Sequence, residues 1–209
     1  MRWICLVVAL LAFPAAAHDG VVHGSEAEAA AHKAETGASV GTPTPSLPFP
    51  VDIEAKFALV DQDGRDVTEE DFAGKPMAVF FGYANCEAIC SVALPRLGQA
   101  LDLLGTEADN LSPLLITVDP ERDTPESMGP ALAKWHPKLR GLTGSEAALA
   151  NARAAFQVET SQVGEDPEGH PIYAHGSFIY LIGADGKVLT LLPPILGPER
   201  MADILRGYL

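Results

Sequence analysis

Apolar and polar positions along the chain predict strands that alternate with helices. Continuous apolar runs at residues 76–83 and 111–118 are typical of central strands covered on both faces. A shorter strand is expected at 56–60, ahead of a turn, and a terminal hairpin at 177–182 and 187–192. Helical patterns cover residues 89–104, 145–156 and 198–208, and Ser145 is the expected cap of the second of these. A further helix is expected to begin after Thr124, with Thr124 as its cap and Pro125 at its first position. The alternation predicts an α/β layered fold.

The first 17 residues have the pattern of an export signal. Arg2 precedes an apolar run at 3–13 that is too short to span a bilayer, and small residues precede a cleavage site after Ala17. Cleavage there removes Cys5 and leaves no transmembrane segment, whereas an uncleaved anchor would need a longer apolar stretch. Residues 18–50 are rich in proline, which blocks helices and strand ladders, so we expect a flexible leader before a folded domain at 51–209. The expected location is the bacterial periplasm.

The charge balance excludes one class of partner. The chain has 209 residues and a formal net charge of −14. No basic footprint for a nucleic acid is present, and the acidic surface favours solubility.

The two cysteines after the signal, Cys86 and Cys90, follow the strand predicted at 76–83 and begin a helical pattern. Helical positions i and i+4 share one face with Cα atoms about 6 Å apart, which suits a disulfide or two thiolates on one metal ion. Helix N-terminal amides would lower the pKa of the Cys86 thiol. A disulfide closing so small a loop stabilises a fold little. A chemical role is therefore favoured over an inert local disulfide or two buried structural cysteines.

Two thiolates favour a soft ion such as Cu(I), and an added imidazole would let the same site hold Cu(II). His175 directly precedes the strand predicted at 177–182, so it can face the start of the neighbouring strand–helix unit. Spacing alone does not distinguish it from a surface histidine. The other candidates are three leader histidines, one at a predicted helix end and one in a loop: His18, His23, His32, His136 and His170. His18 would also carry a free α-amine after cleavage, which makes it a potential copper chelate.

Four segments together resemble the Sco/SenC family. FGYANCEAIC at 81–90 is similar to its metal-binding motif, ITVDPERDTPE at 116–126 to its second block and GLTG at 141–144 to its third. His175 falls where the family places its ligand histidine. The resemblance implies a thioredoxin-like fold with a central mixed sheet flanked by helices. It also implies a copper site made by Cys86, Cys90 and His175.

The residues beside these positions depart from the family pattern. Glu87 and Ser91 stand where the family usually has Pro after each cysteine. Ala174 and Gly176 stand where it usually has Asp before the histidine and Ser or Thr after it. The missing Asp removes a partner that would orient the imidazole. His170 is then a candidate substitute ligand, although its loop position predicts exposure to solvent.

In the second block, Asp119, Arg122 and Asp123 could bind a partner. We favour the interpretation that they cap the helix that follows.

Two functions fit these residues. The leading hypothesis is a copper-binding metallochaperone, because the family resemblance implies delivery of copper to the binuclear copper centre of cytochrome c oxidase. Its client would be a respiratory oxidase subunit or another copper protein. The alternative is a thiol–disulfide oxidoreductase, in which Cys86 attacks a client disulfide and Cys90 resolves the mixed disulfide. The sequence leaves open whether the chain is an enzyme.

Overall fold

The computed structural model describes residues 17–18, 21–22, 53–84 and 90–209, with side chains described for 53–84 and 92–209. The chain divides into two compact units, Met1–Pro45 and Ser46–Leu209. In the first unit, Ala17–His18 pairs antiparallel with Val21–Val22. The predicted flexibility of the leader otherwise falls outside the described residues.

The second unit alternates strands and helices along the chain. Its strands are β1 (Ala58–Asp61), β2 (Asp66–Thr68), β3 (Met77–Gly82), β4 (Ser112–Thr117), β5 (Arg140–Thr143), β6 (Thr160–Glu165), β7 (Pro171–His175), β8 (Ile179–Ile182) and β9 (Val188–Leu192). Its helices are α1 (Cys90–Leu104), α2 (Pro125–Ala133), α3 (Glu146–Ala155) and α4 (Pro198–Arg206). In the described part of the chain, none of these helices is long and apolar enough to cross a membrane.

A mixed seven-stranded sheet forms the centre of this unit, in the order β9-β8-β3-β4-β5-β1-β2. The three middle strands β3, β4 and β5 are parallel, and the flanking pairs are antiparallel. All six residues of β3 are buried. Successive strand residues point to opposite faces, so both faces of the sheet are covered there. Helix α1 packs against α4, α2 against β5, and α3 against β1.

The strands and helices predicted from the apolar pattern are confirmed, each within about two residues at its ends. Thr124 and Ser145 cap α2 and α3 with their side chains, as predicted. Three features were not predicted: β2, β5 and the two-stranded sheet of β6 with β7. β5 contains Gly141, where a Cβ would lie 2.8 Å from the Cβ of Met128. Glycine at this position lets α2 pack directly on β5, although it weakens the strand pattern in the sequence.

Candidate metal centre

The centre begins where β3 ends. β3 stops at Gly82, and α1 starts at Cys90, so the strand and the helix predicted on either side of the cysteine segment are confirmed. Cys86 and the side chain of Cys90 lie outside the described residues. The positions of the two sulfur atoms therefore stay a prediction.

His175 lies beside the same end of β3. β8 runs antiparallel to β3, with Ile179 opposite Phe80, so the chain that enters β8 approaches the carboxyl end of β3. The imidazole of His175 contacts the Phe80 ring edge-on, with 5.9 Å between ring centroids. It contacts the Tyr83 ring in the same manner at 6.2 Å. His175 ends β7, a strand that was not predicted, and lies shortly before β8.

A hydrogen bond fixes the tautomer of His175. Its Nδ1 lies 2.9 Å from the carbonyl oxygen of Gly176. A carbonyl only accepts hydrogen bonds, so Nδ1 carries the proton and the lone pair is on Nε2. Such a bond to Nδ1 is the usual support of a metal-binding histidine. Nε2 is therefore the atom of His175 suited to bind a metal ion.

Two buried carboxylates hold the strand ends behind this histidine. One oxygen of Asp123 accepts the backbone N–H of Ala84 at 2.9 Å and the hydroxyl of Thr117 at 2.8 Å. Burial raises the pKa of Asp123, although these hydrogen bonds oppose the shift. The neighbouring Asp119 is fully buried and pairs with Arg122. The carboxylate of Asp123 thus tethers the backbone two residues before Cys86.

Arg122 extends this cluster to the β6–β7 hairpin. Its guanidinium lies 3.3 Å from the carboxylate of Asp166 and donates to the carbonyl of Pro171 at 2.9 Å. It also lies over the Tyr83 ring, 5.2 Å from the centroid. Burial would lower the pKa of Arg122, but the hydrogen bond and the charge of Asp119 outweigh burial and raise it. Arg122 is a permanent cation.

The capping role expected for Asp119, Arg122 and Asp123 is wrong. Thr124 and Ser127 form the capping box of α2 by themselves. The charged side chains point instead to the strand ends and to the hairpin, because the apolar sheet leaves their buried groups no other partners. This contact between distant segments is invisible to a local capping pattern.

Two other histidines of the second unit, His170 and His136, lie apart from the centre. His170 is half exposed in the β6–β7 turn, where its Nδ1 lies 3.0 Å from Asp166. The extended strand β7 separates it from His175 by about 16 Å, at ~3.3 Å per residue. This position argues against His170 as a substitute ligand. His136 is buried after α2, and burial lowers its pKa despite the nearby carboxylate of Asp102.

Comparison with known proteins decides the family. The SCO1/SenC family model matches residues 46–209. The chain belongs to this family. The SCO2-like protein RC0895 of Rickettsia conorii is 33% identical over 158 residues, which cover 75% of this chain and 77% of the relative.

Solved Sco structures share the thioredoxin-like fold. The copper-bound ScoI of Bradyrhizobium japonicum is 35% identical, with a TM-score of 0.69 over 75% of this chain and 99% of that protein. Copper-bound yeast Sco1 is 30% identical, with a TM-score of 0.68 over 75% of this chain and 88% of that protein. The predicted fold class, a mixed sheet in a thioredoxin-like α/β fold, is thereby confirmed.

The sequence analysis did not predict two features beside His175. They are the contact between the rings of Tyr83 and Tyr173, called the aromatic wall below, and the guanidinium of Arg122 that lies over Tyr83. Tyr83 and Tyr173 meet edge to face at 6.2 Å, and Tyr83 also contacts His175 and Arg122. The tyrosine within FGYANCEAIC, next to the cysteines, was the available signal for this wall. The position of Arg122 carried no such signal, because its partners follow 44 and 49 residues later.

Proposed function

We propose that this protein is a copper-binding metallochaperone that holds copper through Cys86, Cys90 and Nε2 of His175. The observation that carries the proposal is the position of His175. It lies beside the end of β3, with Nδ1 bonded to Gly176 and the ring held by Phe80 and Tyr83. The chain segment that leaves this strand end contains both cysteines.

The donor set suits copper in both oxidation states. Two thiolates favour Cu(I), and the imidazole adds a ligand that Cu(II) prefers. The ScoI of Bradyrhizobium japonicum and the Sco1 of yeast have been solved with copper bound, and their similarity to this chain supports the same cargo here. The binuclear copper centre of cytochrome c oxidase is the client that the family resemblance implies.

The described residues prepare the site in three ways. The carboxylate of Asp123 fixes the backbone before the cysteines through Ala84. The Gly176 carbonyl keeps the proton on Nδ1 of His175, so the imidazole binds as a neutral ligand. Phe80, which is fully buried, keeps water from one side of the imidazole. Copper would then leave by ligand exchange, through intermediates in which this protein and its client share thiolate ligands.

Anaerobic copper titration of the reduced protein tests the site. We compare the wild type with Cys86→Ser, Cys90→Ser and His175→Ala, and use His170→Ala as the matched histidine control. Stoichiometric copper binding in the wild type and the control, with loss of tight binding in the other three variants, is the expected result. Loss of binding in His170→Ala, or full retention in His175→Ala, would contradict the ligand set.

The thiol–disulfide oxidoreductase remains the second candidate. It draws on the start of α1 at Cys90, because helix N-terminal amides stabilise a nearby thiolate. In that reaction the Cys86 thiolate attacks a client disulfide, and Cys90 displaces the reduced client while the Cys86–Cys90 disulfide forms. Absence of copper binding, together with a reversible Cys86–Cys90 disulfide and exchange activity that survives His175→Ala, would favour this function.

The proposed location is the bacterial periplasm. The proposal rests on the export pattern of the first 17 residues. Fractionation of cells that produce the full chain, with N-terminal sequencing of the product, tests it. A product that starts at His18 in the periplasmic fraction is expected, and an intact N-terminus in the cytoplasmic fraction would overturn it.

A further inference from the structure

The β6–β7 hairpin, which carries His175, has little support from the main sheet. In the described part of the chain, β6 and β7 pair only with each other. Nearly all of β6 is exposed, and β7 is mostly half-buried. An isolated two-stranded hairpin is marginally stable in water. Side-chain contacts must therefore determine where this hairpin, and with it His175, lies relative to β3.

Arg122 supplies contacts at the turn end of the hairpin. Its guanidinium binds the carboxylate of Asp166 in the turn and the carbonyl of Pro171, the first residue of β7. The Nε of the same group pairs with the buried Asp119, which belongs to the loop after β4. One side chain thus joins the hairpin to the carboxyl end of the main sheet.

The same guanidinium also supports the aromatic wall. It lies over the face of Tyr83, and Tyr173 in the middle of β7 contacts the edge region of that ring. His175 contacts the same Tyr83 ring at the end of β7. The first, middle and last parts of β7 are therefore all held by Arg122 or by the ring on which Arg122 lies.

We propose that Arg122 is a positioning residue, which holds the β6–β7 hairpin against Tyr83 and thereby places Nε2 of His175 for metal binding. The inference rests on the proposed function for the role of His175. A planar guanidinium has the donors to bind Asp119, Asp166 and the Pro171 carbonyl together, whereas an ammonium group is a compact point charge. Arg122→Lys therefore keeps a cation beside Asp119 but loses the connection to the hairpin.

The first measurement is hydrogen exchange of the copper-free protein. In Arg122→Lys, the amides of the ladder that pairs Thr160 with His175 should exchange about tenfold faster, because the hairpin opens locally. The amides of β3 and β4 should keep wild-type rates. Asp166→Asn weakens the contacts of this carboxylate with Arg122 and with the His170 ring but leaves the Pro171 contact of Arg122, so it should give a smaller change in the same amides. Arg206→Lys, at an exposed ion pair on α4, is the matched control.

The second measurement compares Cu(II) with Cu(I). Loss of a group that orients a histidine ligand typically reduces metal affinity about 10- to 100-fold, so Cu(II) binding to Arg122→Lys should weaken by that factor. The affinity for Cu(I) should weaken less than the affinity for Cu(II), because the two thiolates remain as its ligands. The electron paramagnetic resonance spectrum of the Cu(II) form should lose the nitrogen coupling that His175→Ala also removes.

Unchanged exchange in the hairpin would overturn the inference, as would faster exchange throughout the sheet or equal losses of Cu(I) and Cu(II) affinity. The last two results would mean a general stabilising role for Arg122. Failure of the proposed function looks different, because His175→Ala would then leave copper binding intact. In that case the copper-free exchange rates still decide whether Arg122 holds the hairpin.

Discussion

Replacement of Asp123 by alanine tests the tether between the second block and the strand that leads to the cysteines. The change removes the acceptor of the Thr117 hydroxyl, which is fully buried, and of the Ala84 N–H, which is half-buried. A buried donor without a partner costs about 1–3 kcal/mol. The two losses share one acceptor and do not add fully, so we expect the free energy of unfolding to fall by about 2–4 kcal/mol.

Asp123→Asn separates the shape of the side chain from its charge. The amide oxygen can still accept both hydrogen bonds, so this variant should keep most of the stability that alanine loses. Burial raises the pKa of Asp123 above 3.8. The folded state therefore holds this proton more tightly than the unfolded state. The contribution of Asp123 to stability is largest below pH 3.8 and declines as the pH rises through the raised pKa.

Thermal unfolding at a series of pH values measures both effects. Asp123→Ala should lower the Tm by about 5–15 °C, at ~2–4 °C per kcal/mol for a domain of this size. Because asparagine does not titrate, the stability of Asp123→Asn relative to the wild type should increase from about pH 4 towards pH 7. Carboxylates that do not interact with Asp123 titrate in both proteins and cancel in this difference. A constant difference, or one that decreases with pH, would refute the reasoning.

Two further predictions concern the helices around the centre. A Cβ at Gly98 of α1 would lie 2.5 Å from the backbone oxygen of Trp135. In Gly98→Ala, overpacking costs about 1–3 kcal/mol and should exceed the helix-propensity gain of ~1 kcal/mol, so the Tm should fall by a few degrees. The control is Gln99→Ala at the exposed neighbouring position, which should unfold like the wild type. A higher Tm for Gly98→Ala would contradict the close contact. Thr124→Ala removes the oxygen that accepts the Ser127 N–H. Urea unfolding should show a free energy of unfolding that is lower by about 1 kcal/mol. An unchanged midpoint would mean that the cap of α2 contributes nothing to stability.

The elements that build the centre were predictable where the sequence pattern is local. The buried strand β3 is a continuous apolar run, and its burial on both faces requires such a run. The caps Thr124 and Ser145 act within three residues of their own positions, so they are visible in the sequence. The strand and the helix on either side of the cysteine segment follow from the same local pattern, because a continuous apolar run gives way to a helical pattern there.

The β6–β7 hairpin was not predictable in the same way. β6 is polar and exposed at nearly every position, so no apolar alternation marks it as a strand. The link between this hairpin and Arg122 joins positions that lie 44 residues apart in the chain. The proposed chemistry of the centre depends on this hairpin, since His175 ends β7. Local patterns therefore gave the candidate ligands but not what holds His175 in place.

The departure from the family pattern at Ala174 has a physical answer in the structure. A carboxylate at that position was expected to orient the histidine, and its loss suggested a less ordered ligand. The carbonyl of Gly176 instead accepts the Nδ1 proton of His175, and a backbone acceptor leaves no mark in the sequence. The tautomer is fixed in either case, but a neutral carbonyl polarises the imidazole less than a carboxylate does. The imidazole of His175 is therefore oriented without the added basicity that a carboxylate partner confers. If His175 binds copper as proposed, this difference favours Cu(I) over Cu(II) relative to a site with an Asp partner.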